Sequence, residues 1–132
     1  MIMAVLSMLV AQSAPATCTA MDIDLPPAMS AWRVPEAARP TIRPGGAMTI
    51  GPSTPLTLEV TQAGTYGVAV DQGAWIDVAR GGDVLRSTAH GRGPACSTIR
   101  KIVSFALEPG RYAITFSRTQ APAIRVMVVR EP

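Results

Sequence analysis

Apolar and polar residues alternate in short runs along the second half of the chain. Residues 56–61, 65–71, 74–80, 84–89, 102–107, 111–117 and 123–129 each carry a period close to two, with Gly, Pro or Asp between them. Residues 48–50 add a shorter run of the same kind. No window of about 11 residues holds a helical period. A period of two sends successive side chains to opposite faces, so each run has one apolar face to bury. Two sheets packed face to face bury all of these faces at once. The pattern predicts an all-β fold, an antiparallel, jelly-roll-like β-sandwich of seven or eight strands.

Turn chemistry refines the expected pairing. Asp71-Gln72-Gly73 reads as a three-residue hairpin loop with Gly73 left-handed, which sets Val68 opposite Ile76 and Tyr66 opposite Val78. Gly81-Gly82 suits a two-residue type I′ turn, with Val78 and Leu85 inward and Asp77 and Arg86 outward. Glu108-Pro109-Gly110-Arg111 reads as a third hairpin, with Leu107 opposite Tyr112, Phe105 opposite Ile114 and Val103 opposite Phe116. All three registers place one apolar set on one face.

The first half differs. Residues 17–55 hold Pro26, Pro27, Pro35, Pro40, Pro44, Pro52 and Pro55, with Pro15 just before them. So many prolines leave few free N–H donors, and this stretch is expected to run as an extended arm packed on the sandwich of residues 56–132, anchored by Trp32. Residues 1–16 open with an uncharged apolar run and close on Ser13-Ala14-Pro15-Ala16. That is the form of a secretory signal peptide, although it has no Lys or Arg at its start. The run is too short for a transmembrane anchor, which needs about 20 apolar residues. Pro15-Ala16-Thr17 before Cys18 is a poor lipobox. In an exported chain Cys18 and Cys96 form one disulfide, and the expected location is periplasmic or secreted.

Charge narrows the function class. The net charge is +3, and all of the 12 basic residues except Lys101 are arginines scattered along the chain. Nucleic-acid binding calls for a basic cluster interleaved with aromatics, which is not present. His90 is the single histidine. A serine triad would need a nucleophile on a defined turn, and the chain has no Gly-x-Ser-x-Gly. A metal site would need further histidines or thiolates. Asp71, Asp77 and Asp83 match no calcium loop, turn chemistry accounts for Asp71, and a cross-turn pair with Arg80 accounts for Asp83. Arg92, Arg100 and Lys101 form a basic group near Cys96. No cofactor is expected.

The expected registers leave one candidate binding constellation. Trp75 and Asp77 share an outward face with Arg86, Thr88 and His90. A tryptophan among polar groups on a sheet face holds a ring by stacking and a few directed hydrogen bonds. The competing arrangement is an Asp77–Arg86 ion pair, with Trp75 packed under the Pro-rich arm. The candidate ligand residues are therefore Trp75, Asp77, Arg86 and His90.

The stretch from Gly64-Thr65-Tyr66 to Pro109-Gly110-Arg111-Tyr112 resembles the Gly-x-Tyr cadence of bacterial pre-peptidase C-terminal β-sandwich domains, which are non-catalytic modules of exported proteins. A wider resemblance runs through Gly73-Ala74-Trp75-Ile76-Asp77-Val78, Ser87-Thr88-Ala89-His90-Gly91, Gly93-Pro94-Ala95-Cys96-Ser97 and Ile99-Arg100-Lys101. It spans nearly the whole chain and is to a family of small exported proteins of alphaproteobacteria. Members of that family sometimes carry a homogentisate 1,2-dioxygenase label. Iron dioxygenases of that kind use two histidines and a carboxylate in a much longer chain, and His90 stands alone. The expectation is a small exported, non-catalytic module of the cell envelope, binding a small molecule or carbohydrate. The alternatives are an enzyme or metal protein working through His90, and a structural protein that binds an envelope partner.

Overall fold

The computed structural model describes residues 17–132, so the expected signal segment lies outside the described residues. The strands in chain order are β1 (Thr41–Ile42), β2 (Ala47–Ile50), β3 (Leu56–Val60), β4 (Gly64–Val70), β5 (Trp75–Arg80), β6 (Asp83–Val84), β7 (Ala89–Gly91), β8 (Lys101–Leu107), β9 (Gly110–Ser117) and β10 (Ile124–Arg130). They build two five-stranded sheets. The front sheet has the order β1-β3-β9-β5-β6 and the back sheet the order β2-β10-β4-β8-β7. Apart from the parallel β1–β3 pair, neighbouring strands run antiparallel. Most loops step from one sheet to the other, as in a jelly roll. The inward side chains form one continuous core, with Leu58, Val78 and Ile114 of the front sheet packed against Val68, Phe105 and Val126 of the back sheet.

Two of the three expected hairpins are instead crossings between sheets. Val68 pairs with Val103 and Val128, and Ile76 pairs with Phe116. Likewise Phe105 lies opposite Tyr66, while Ile114 lies between Leu56 and Val78. Packed sheets sit about 10 Å apart, a gap that three or four extended residues can span. Both arrangements bury the same inward side chains. The Gly81-Gly82 turn does close a hairpin: Arg80 pairs with Asp83, both glycines have positive φ (57° and 87°), and the Leu85 N–H donates to the Val78 carbonyl at 2.8 Å. The run 84–89 is not one strand. β6 ends at Val84 in the front sheet, and β7 starts at Ala89 in the back sheet.

Two tyrosines fix the entry of their strands in the same way. The Tyr66 hydroxyl donates to the Gln62 carbonyl at 2.6 Å, and the Tyr112 hydroxyl donates to the Glu108 carbonyl at 2.7 Å. Each lies two residues after a glycine that opens its strand, Gly64 in β4 and Gly110 in β9. Both rings are buried.

The segment before the sandwich covers the outer face of the back sheet. Pro26 and Pro27 start a 3₁₀ helix, Pro27–Arg33, and proline suits a first turn because its missing N–H would be unpaired there. The helix delivers Trp32, which is fully buried, onto Ala47, Ala69, Ile99, Met127 and Val129. Trp32 Nε1–H donates to Thr98 Oγ1 at 2.9 Å, and the Thr98 hydroxyl donates to Asp22 Oδ2 at 2.6 Å. The Thr98 N–H reaches Asp22 Oδ1 at 2.7 Å, and the Asp22 N–H returns to the Cys96 carbonyl at 2.8 Å. Beside this network Cys18 and Cys96 form a disulfide over a sequence separation of 78, with 5.5 Å between their Cα atoms. The chain-entropy model gives about 4.5 kcal/mol for a loop of that length, an upper figure. Among the described residues no helix is long and apolar enough to cross a membrane.

Candidate functional site

Trp75 opens β5, where alternation points it outward while Ile76 and Val78 enter the core. Among the described residues it is the one aromatic of the large apolar side chains left exposed, at 53%. Its indole is held in place: Nε1–H donates to Asp77 Oδ1 at 3.1 Å. Two cations approach the ring. Lys101 Nζ lies 5.6 Å from its centroid and the Arg118 guanidinium carbon 5.8 Å. Such contacts are worth about 0.5–1 kcal/mol each at an exposed site.

The ring forms a ridge between two clefts. One, of about 330 Å³, opens where the sheets part and is lined by Trp75, Ile76, Ser87, His90, Lys101 and Val103. His90 reaches it because β7 pairs His90 with Val103, an inward position of β8. Lys101 stands at the start of β8 and donates to the Ala74 carbonyl at 2.9 Å. The other cleft, of about 240 Å³, lies on the outer face of the front sheet between Trp75, Asp77, Ser117 and Arg118. Arg118 follows β9 with φ of +52°, a left-handed turn that leaves the strand direction just after Ser117.

The expected constellation is thus assembled in part. Trp75 meets His90 in one cleft and Asp77 in the other. Arg86 lines neither, because β6 ends two residues before it and no ladder carries it beside Asp77. The competing ion pair is not formed: Asp77 holds the indole, and the described ion pairs are Arg43–Glu59 and Arg111–Glu59. Nor does the arm cover Trp75. The Asp83–Arg80 pair is likewise not formed, since Arg80 lies over the Tyr112 ring at 5.5 Å and its Nη1 donates to the Tyr112 hydroxyl at 3.4 Å. Lys101 also leaves the basic group assigned to it. Arg92 and Arg100 share a depression by the Cys96 loop, while Lys101, one residue on, faces Trp75. Alternation within β8 carried that information. Ser117 was missed because the expected registers did not set β9 beside β5, and Ser87 and Arg118 because they sit beyond strand ends, where alternation says nothing.

Among the described residues no three His, Cys, Asp or Glu side chains converge as a metal-ligand group. Compared with known proteins, the chain matches no family model, and no curated protein matches it in sequence.

Proposed function

We propose that this chain is a small exported, non-catalytic jelly-roll module of the cell envelope that binds a small or saccharide ligand at Trp75. The observation that carries the reading is an exposed tryptophan, locked by Asp77 and flanked by two clefts, in a fold that buries its other tryptophan completely. An exposed, oriented indole offers a rigid apolar surface, and the serines, His90 and Lys101 beside it supply directed hydrogen bonds. The disulfide supports export, since such bonds persist in oxidising compartments. The resemblance to small exported alphaproteobacterial proteins agrees with this reading, with no activity attached to it.

The test is a binding screen of small saccharides read by the indole N–H resonance of Trp75. Trp75→Ala is expected to abolish binding with the fold retained, at a cost of no more than about 2 kcal/mol for its two cation–π contacts. Binding that survives the substitution overturns the site. In parallel, intact mass of the protein from its host's envelope fraction is expected to show a shortened, oxidised chain; a full-length reduced chain overturns export.

A further inference from the structure

The charges around Trp75 narrow the ligand, on the assumption that the ligand reading above holds. Lys101 and Arg118 both stand within 6 Å of the ring centroid, one in each cleft. Neither takes part in an ion pair among the described residues, where Glu59 receives both arginines that do. Among the described residues the one carboxylate lining either cleft belongs to Asp77, and its Oδ1 already accepts the indole N–H. Lys101 spends one N–H on the Ala74 carbonyl and keeps two. The guanidinium of Arg118 has a planar fork suited to a carboxylate. A neutral ring stacking on Trp75 offers these two cations only hydroxyl acceptors and no opposite charge. A ring that carries its own carboxylate takes the place of a cation over the indole and supplies the charge that pairs with the cation it moves aside.

We infer that the Trp75 ridge takes a carboxylate-bearing saccharide, its ring on the indole and its carboxylate held by Arg118 or Lys101. A uronate unit is the simplest such ligand. Of the two cations, the Arg118 guanidinium makes no hydrogen bond among the described residues that would have to be given up. It is therefore the better carboxylate partner, and Lys101 the better orienting group.

The experiment titrates the full chain with a galacturonate trimer and with the matching neutral galactose trimer, following the Trp75 indole resonance. The expected result is about tenfold or tighter binding of the acidic trimer at low salt, the scale of one charge-assisted hydrogen bond. That preference shrinks sharply in 1 M salt, where the screening length is about 3 Å. Arg118→Gln is expected to remove most of the preference, read as the ratio of the two trimers' affinities in the variant against the same ratio in the unsubstituted chain. Equal binding of the two trimers overturns the charge inference and leaves the ligand reading standing. No shift of the Trp75 resonance with either trimer, nor with the wider screen, overturns both.

Discussion

At the scale of single residues, the two tryptophans show how position decides what a side chain is worth. Trp32 is sealed under the arm and hydrogen-bonded to Thr98, so Trp32→Ala is expected to cost about 3–5 kcal/mol in a urea melt. The same change at Trp75 is expected to cost about 2 kcal/mol or less. Each tyrosine hydroxyl is worth about 0.5–1.5 kcal/mol. Tyr112→Phe should stand at the upper end, because that hydroxyl also accepts the Glu108 N–H at 3.0 Å. A Cβ added at Gly93 would lie 2.4 Å from the Ile99 carbonyl oxygen, which belongs to fixed backbone. Gly93→Ala is therefore expected to destabilise by about 1–3 kcal/mol, measured by the same melt. A neutral result there would mean that the Cys96 loop yields easily.

Among the elements, the strands were legible and their partners were not. Alternation marks which side chains go inward, and Tyr66, Val68, Ile76 and Val78 do all enter one core. It cannot say whether consecutive strands are neighbours in a sheet or face each other across it, since both bury the same side chains. A second signal was present in the sequence. Val68-Ala69-Val70 and Val126-Met127-Val128-Val129 are apolar on both faces, the mark of strands covered on both sides. These are β4 and β10, the middle of the back sheet, with Ala69, Met127 and Val129 under the Trp32 arm. The candidate site was legible to the extent that it lay within a strand. Trp75 and Asp77 follow from β5, whereas Arg118 depends on a left-handed residue after β9. The Gly81-Gly82 turn was readable because two positive-φ residues are needed there and two glycines supply them. Gly82→Ala is expected to cost about 1–2 kcal/mol, the penalty for a side chain in the left-handed region, as read by thermal unfolding.

For the whole molecule, the disulfide and the Asp22–Thr98–Trp32 network fasten the arm to the back sheet at neighbouring points. Reduction, or the double Cys18→Ser and Cys96→Ser variant, is expected to lower Tm by roughly 10–25 °C, taking about 2–4 kcal/mol for the bond and several degrees per kcal/mol. A change of a degree or two would mean that the network alone holds the arm. The order of strands has a consequence for how the chain is made. β9 lies between β3 and β5, and β10 lies between β2 and β4, so each sheet is joined across its middle by one of the last strands to be synthesised. A nascent chain that has reached only β8 owns both cysteines and most of the core residues, yet neither sheet can close. Both halves of the sandwich wait for the same final segment. A chain ending after β8 is therefore expected to show no cooperative urea transition of its own, whereas the full chain unfolds in one.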